Sequence, residues 1–140
     1  MSHTKRLKKY SNLEKLIHIE KLPLPFKEES IDGTFMIEVI EHLSNKELNH
    51  ILEEMYRILK KGGYLIITTP YNEGLDANKT ICPECGCIFH RWQHLRSWNE
   101  NNLSEKLNKI GFTVYKIEKY EFAPFLKRIY SIAKRFIRKT

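Results

Sequence analysis

The stretch CPECGCIFHRWQH concentrates residues that bind metal ions. It holds all three cysteines of the protein and two of its six histidines. Zinc prefers four tetrahedral sulfur and nitrogen ligands, and Cys82, Cys85, His90 and His94 supply four at close spacing. Four protein ligands leave no position for a substrate, so the zinc ion expected here has a structural role.

The identity of the ligands stays open at this point. Cys87 is a spare thiolate that could replace a histidine. The alternative is a reduced cysteine cluster beside which His90 and His94 face solvent or substrate. Three cysteines within six positions suit a disulfide framework poorly, and they favour metal ligands in a reducing compartment. We therefore expect a cytoplasmic protein.

A second group of reactive residues is Glu38-Val-Ile-Glu41-His42. Two carboxylates three positions apart, followed by an imidazole, can share one face at the start of a helix. A hard, octahedral cation could use that arrangement. The simpler interpretation is that Glu41 and His42 pack near the beginning of the helix.

The elements that would position these residues alternate along the chain. Apolar runs predict four strands, at 13–20, 33–40, 64–70 and 112–120. The two central runs, GTFMIEVI and YLIITTP, are continuous enough for strands buried on both faces. Ligands of such sheets bind beyond the carboxyl ends of the strands, which here lie near Glu20, Glu38–His42 and Pro70–Tyr71.

Helices are predicted between the strands. Ser44 opens one with a capping box, because a glutamate follows three positions later, and Gly62-Gly63 ends it. Ser97 opens a second helix in the same way, and Gly111 ends it in the left-handed conformation that glycine favours. Strands that alternate with helices indicate a parallel α/β sheet with right-handed crossovers.

Charge is distributed unevenly over the 140 residues. The net charge is +7, with +4 on residues 1–10 and +6 on residues 123–140, so the body between these ends carries −3. The mixture of cations and apolar residues at 123–140 predicts a basic amphipathic helix. This helix could lie on an anionic membrane surface, or it could cover the sheet with its apolar side. The 41% hydrophobic content is that of one globular domain.

Three stretches, in order, carry a resemblance to a known family. LPLPFKEESIDGTFMIEVIEHL, LEEMYRILKKGGYLIITTP and LNKIGFTV resemble the class I S-adenosylmethionine-dependent methyltransferases of the type 11 group. The resemblance spans roughly residues 13–120. It implies S-adenosylmethionine as the cofactor and an enzyme that transfers a methyl group.

The resemblance also implies roles for individual residues. Glu20 would accept a hydrogen bond from the adenine amino group, and Lys21 and Leu22 would border the ring. Glu38, Glu41 and His42 would face the methionine end of the cofactor and the substrate, as the catalytic residues, with Glu38 also contacting the cofactor. The E-x-x-E-H pattern is similar to the metal site of O-methyltransferases of ubiquinone biosynthesis and small-RNA end modification, where Mg²⁺ or Mn²⁺ orients the accepting hydroxyls.

Departures from the family are equally informative. None of the six glycines forms the glycine-rich turn that lets the backbone approach the cofactor, and the acid that would hold the ribose hydroxyls is missing. We therefore expect a single truncated domain over 1–140, with a Cys/His-rich insertion at 71–96. Its expected fold is a partial Rossmann-like sheet, mostly parallel and of about four strands, with flanking helices.

Three functions follow as hypotheses. The first is methyl transfer to a small-molecule or glycan-like acceptor. The second is a non-catalytic partner of a methyltransferase, or one half of a split methyltransferase. The third is a zinc-knuckle protein that binds single-stranded nucleic acid by stacking on Phe89 and Trp92, against which the acidic body argues.

Overall fold

The computed structural model describes residues 19–120. Most of the strand predicted at 13–20, the whole predicted C-terminal helix and both basic ends lie outside this range. The elements in chain order are β1 (Ile31–Ile37), α1 (Asn45–Ile58), β2 (Leu59–Thr68), a 3-10 turn (Leu75–Asn78), β3 (Lys79–Ile81), β4 (Ile88–His90) and α2 (Glu100–Ile110).

A βαβ unit forms the centre of the fold. Strands β1 and β2 pair in parallel, with Gly33 opposite Tyr64 and Ile37 opposite Thr68, and α1 connects them. This confirms the predicted α/β class and the parallel sheet. The buried core lies between the sheet and the helices and consists of Met36, Ile40, Leu48, Leu52 and Trp98.

The prediction that both central strands are buried on two faces is wrong. Met36 faces the helices and is 4% exposed, whereas its neighbour Phe35 is 68% exposed. Tyr64 and Ile66 of β2 lie exposed as well. Both α1 and α2 pack on the Met36 side, and no helix within residues 19–120 covers the other face.

Helix α1 begins as predicted and ends earlier than predicted. The Ser44 hydroxyl accepts from the Glu47 N–H while the Glu47 carboxylate accepts from the Ser44 N–H, which confirms the capping box. The helix ends at Ile58 because Leu59 is already extended and pairs with Ile31. Gly62 and Gly63 lie within β2 instead. Gly63 allows a close approach of the backbone there, since a Cβ on it would lie 2.9 Å from the Lys60 carbonyl oxygen.

Helix α2 begins two residues later than predicted. Asn99, not Ser97, is the N-cap, and its side chain accepts from the N–H groups of Asn101 and Asn102. Ser97 precedes Trp98, which forms a parallel β-bridge with Tyr71, and the backbone there is extended and not helical. The prediction for the other end is confirmed, because Gly111 caps the helix with φ +115°.

The strand predicted at 112–120 is absent from the described part of the chain, where the parallel sheet has two strands and not about four. Alternating apolar residues form a strand only if a neighbouring strand accepts their backbone hydrogen bonds. This segment instead makes side-chain contacts, with Phe112 edge-on to Tyr56 and Lys119 above the Tyr71 ring.

The predicted insertion at 71–96 contains the 3-10 turn and an antiparallel hairpin. In the hairpin, β3 pairs with β4, with Lys79 opposite His90 and Ile81 opposite Ile88. The three cysteines occupy the loop of this hairpin. No helix between residues 19 and 120 has the length and apolar character needed to cross a membrane.

Candidate functional site

The carboxyl ends of β1 and β2 are joined by side-chain hydrogen bonds. Directly after β1, Glu38 donates its N–H to the Thr68 carbonyl at 3.0 Å, and its carboxylate accepts from the Thr68 hydroxyl at 2.7 Å. Glu38 adopts φ +52°, which is uncommon for a residue with a side chain. Such conformations persist where the surroundings hold them, and they cluster at functional sites.

Glu41 is a buried carboxylate with one unused oxygen. Glu41 is 1% exposed, and its Oε2 accepts a hydrogen bond from the Thr69 hydroxyl at 3.0 Å. Oε1 is buried and makes no hydrogen bond. A buried, unpartnered acceptor on a charged group is costly, so this oxygen favours a nearby cation or donor.

His42 lies beside this oxygen. Its Nε2 is 3.7 Å from Glu41 Oε1, and its ring contacts the edge of the His94 ring with centroids 4.8 Å apart. The side chain is 40% exposed, so this side of the group is open to solvent. Glu41, His42 and His94 each offer a ligand atom, and these atoms lie within 4.8 Å of one another.

Glu73, which follows β2, holds two imidazoles. His94 Nδ1 is hydrogen-bonded to Glu73 Oε2, and His90 Nε2 lies 3.5 Å from Oε1. Asn78 also donates to Oε1, at 2.9 Å. Glu73, His90 and His94 form a second group with metal-binding chemistry that shares His94 with the first. We call Glu41, His42, Glu73, His90 and His94 together the Glu/His cluster.

The hydrogen bonds assign the tautomers of the two inner histidines. His90 Nδ1 accepts from the His94 backbone N–H at 3.1 Å, so the proton of a neutral His90 ring is on Nε2. A carboxylate only accepts, so His94 Nδ1 carries a proton and His94 Nε2 has the free lone pair. A metal-binding histidine commonly donates its second N–H to a carboxylate in this way.

These tautomers favour one of the two overlapping groups. Glu41, His42 and His94 Nε2 offer one carboxylate and two imidazoles for a divalent cation, the donor set of many Fe, Mn, Co and Zn sites. Glu73 and His90 would then support these ligands without binding the cation, because Glu73 orients His94 and His90 lies beside Glu73.

The structure divides the four predicted zinc ligands between two places. Cys82 and Cys85 group with Cys87, with sulfur atoms within 4.8 Å of one another, whereas His90 and His94 group with Glu73. The backbone N–H of Cys87 donates to the Cys85 sulfur and lowers the pKa of the Cys85 thiol. The hydrogen bond that the Cys87 thiol shares with Cys85 raises the pKa of the Cys87 thiol.

The predicted adenine-binding residues are not among the residues of the Glu/His cluster. Glu20, Lys21 and Leu22 form an exposed, irregular segment before β1. Leu22 borders a shallow depression of about 270 Å³ with His50 and Glu53 of α1. Residues of the Glu/His cluster do not line this depression.

Glu73 is the residue of the Glu/His cluster that the sequence prediction missed. Its position three residues after Pro70 was an available signal, because the carboxyl ends of the strands were expected to carry the site. A lone glutamate in a loop carries no motif, and its two histidine partners are 17 and 21 positions further along the chain.

Comparisons with known proteins match parts of this chain to a family and to solved structures. Residues 3–67 match the family described as "Methyltransferase domain". A solved S-adenosylmethionine-dependent methyltransferase from Thermotoga maritima, described as a possible histamine N-methyltransferase, is 30% identical with a TM-score of 0.50. That match covers 66% of this chain and 42% of the Thermotoga protein. No curated protein matches the chain.

Two further solved structures are similar. A putative methyltransferase from Haloferax volcanii, in complex with the Trm112 methyltransferase activator, is 25% identical over 67% of this chain and 38% of its own, with a TM-score of 0.49. A methyltransferase from Archaeoglobus fulgidus is 18% identical over 81% of this chain and 55% of its own, with a TM-score of 0.47. The chain thus spans between about two fifths and just over half of the length of these proteins.

Proposed function

We propose that the chain is a class I S-adenosylmethionine-dependent methyltransferase, similar to the family and the Thermotoga protein that it matches, and that it takes part in methyl transfer to a small-molecule or glycan-like acceptor. The observation that supports this most directly is the position of Glu38, Glu41 and His42. All three leave the carboxyl end of β1, which is the edge where parallel α/β sheets bind their ligands.

The residues of the chain fit S-adenosylmethionine in part. When bound, this cofactor supplies a methyl group already activated on a sulfonium. The strained backbone at Glu38 and its bond to Thr68 give a fixed carboxylate for the methionine side. For the adenosyl side the chain offers Glu20, Lys21 and Leu22, but it has no glycine-rich turn, and Gly62 and Gly63 lie at the opposite edge of the sheet.

We propose that the acceptor is held at the Glu/His cluster. A divalent cation bound by Glu41, His42 and His94 would orient an accepting hydroxyl and favour its deprotonated form. Three protein ligands leave coordination positions for the acceptor, and the exposed side of His42 gives access. Positioning alone can contribute much of the rate of such a transfer.

Calorimetric titration of the purified chain with S-adenosylmethionine tests the proposal. We expect binding that Glu20→Gln weakens, with the exposed Glu105→Gln as the matched control. Transfer of a labelled methyl group into pools of hydroxylated metabolites and glycans, with and without Mn²⁺, then identifies the acceptor class. Absence of binding up to millimolar cofactor would exclude an enzyme that works as this chain alone.

A second candidate function is that of a non-catalytic partner of a methyltransferase, or of one half of a split methyltransferase. These 140 residues include no glycine-rich turn, so in the split form they would contribute the acceptor side. We expect that a protein carrying such a turn would restore cofactor binding when mixed with this chain. If the chain alone binds S-adenosylmethionine as tightly as the mixture does, this alternative fails. The free cysteines suit a reducing compartment, and a cytoplasmic location remains part of the proposal.

A further inference from the structure

The hairpin loop between β3 and β4 brings three thiols together. Cys82, Cys85 and Cys87 have sulfur atoms within 4.8 Å of one another, and the Cys85 and Cys87 sulfurs are 3.1 Å apart. Cys85 and Cys87 are exposed and Cys82 is half-buried. All three cysteines are free thiols.

The backbone of the loop holds this arrangement. The Cys82 N–H donates to the Cys87 carbonyl at 2.8 Å, and the Gly86 N–H donates to the Cys82 carbonyl at 2.9 Å. Gly86 adopts φ +69°, which a side chain would disfavour, and this turns the chain back between Cys85 and Cys87.

The histidines predicted to complete this site are engaged elsewhere. His94 Nδ1 donates to Glu73, and His90 Nδ1 accepts from the His94 backbone. Neither histidine groups with the cysteines, although both lie within twelve positions of Cys82.

We propose that Cys82, Cys85 and Cys87 bind one zinc ion through their three thiolates. Clustered thiolates are the ligands that Zn²⁺ takes in preference to the hard cations. Three protein ligands leave one tetrahedral position for a water molecule or another ligand from solvent. This site differs from the two-cysteine, two-histidine set that the sequence suggested, and it does not depend on methyl transfer.

The zinc ion would fix the hairpin tip and, through it, the Glu/His cluster. The cysteine loop connects Ile81 of β3 to Ile88 of β4, which are paired with each other, and β4 ends at His90. A loop held at the tip therefore restrains the strand that carries His90 and leads to His94. The site is structural in this sense, although it has an open coordination position.

Cobalt titration of the reduced, metal-free full chain tests the proposal. We expect one equivalent of Co²⁺ to produce thiolate-to-metal charge-transfer bands, which a metal at the Glu/His cluster does not produce. Cys87→Ser should lower band intensity by about one third, because one of three thiolates is lost, and should weaken Co²⁺ binding about tenfold or more. Glu84→Gln, in the same loop, should change neither quantity.

His94→Ala distinguishes the proposed ligands from the predicted set. Its bands should equal those of the unchanged protein. Equal loss of the bands in His94→Ala and Cys87→Ser would overturn the proposal, as would full intensity in Cys87→Ser or no bands at one equivalent. Circular dichroism of each variant checks that it is folded, and the exposed position of Cys87 favours that outcome. No measurement here uses S-adenosylmethionine, so failure of this proposal is distinct from failure of the proposed function.

Discussion

Glu41, just beyond β1, accepts a hydrogen bond at 3.0 Å from the hydroxyl of Thr69, just beyond β2. This contact joins the ends of the two parallel strands and fixes one carboxylate oxygen. The other oxygen of Glu41 is left beside His42 without a hydrogen bond. The proposed cation site therefore depends on a side chain that the sheet itself orients.

Replacing Glu41 by glutamine should remove the response to divalent cations. Glutamine keeps an oxygen for Thr69 but loses the negative charge at the buried site. Mn²⁺ should raise the thermal unfolding temperature of the unchanged protein, because a ligand bound only by the folded state stabilises it. We expect no such rise in Glu41→Gln. The exposed Glu105→Gln should retain the rise, and a full rise in Glu41→Gln would exclude Glu41 as a ligand.

Replacing Glu73 by glutamine should weaken cation binding without removing a ligand. The amide offers one acceptor in place of two, so His94 loses the carboxylate that orients its ring. Loss of such a partner typically lowers metal affinity by about 10–100-fold. Calorimetric titration with Mn²⁺ measures this change. Asp76→Asn, which alters an exposed carboxylate paired with Lys79, is the control. Equal affinities in the unchanged protein and Glu73→Gln would contradict the role of Glu73.

The Glu54–Arg57 pair should make stability depend on acid pH. The hydrogen bond from Arg57 lowers the pKa of Glu54, and Arg57 also donates to the carbonyls of Leu24 and Phe26. A carboxyl whose pKa is lowered on folding stabilises the protein above its unfolded pKa, and this contribution is lost as the pH falls through the lower folded value.

Glu54→Gln should therefore lower the free energy of unfolding by roughly 1 kcal/mol at neutral pH. The difference from the unchanged protein should shrink as the pH falls through the acid range where Glu54 becomes protonated. Urea denaturation at a series of pH values measures both quantities. Glu53→Gln, on the exposed side of the same helix, should have little effect at neutral pH. A difference that grows on acidification would contradict the prediction.

Asn99→Ala should destabilise helix α2 more than Ser97→Ala does. Asn99 satisfies two backbone N–H groups at the start of the helix, and the loss of such a cap costs about 1 kcal/mol. Ser97 lies before the helix, so its hydroxyl should contribute little. Urea denaturation of the two variants compares them directly. A larger loss in Ser97→Ala would support the helix start that the sequence suggested.

Local signals predicted the βαβ unit because its boundaries are set by neighbouring residues. Ser44 has its capping partner three positions away, and Gly111 needs only its own left-handed conformation. The apolar run of β1 likewise predicted a strand. That run could not predict whether both faces of the strand are buried, since the burial of Phe35 depends on what packs against the sheet.

The site was predictable only where its residues are close in sequence. Glu38, Glu41 and His42 follow one strand, and their position at the carboxyl edge could be expected. The bond between Glu73 and His94 spans 21 positions and depends on the path of the whole hairpin. The path of the hairpin also places His90 and His94 with Glu73 and not with the cysteines. The spacing of the cysteines and histidines along the sequence could not predict this.

The irregular start of the sheet has a consequence for how this domain can vary. Between the pairs Ile31–Leu59 and Gly33–Tyr64, Asp32 alone on β1 faces the four residues Lys60–Gly63 on β2. Beyond that excursion the pairing is regular up to Ile37 and Thr68. Residues could be added or removed within Lys60–Gly63 without shifting the pairing between Gly33–Ile37 and Tyr64–Thr68. A short label inserted genetically into Lys60–Gly63 should therefore leave Glu38 and the Glu/His cluster in place.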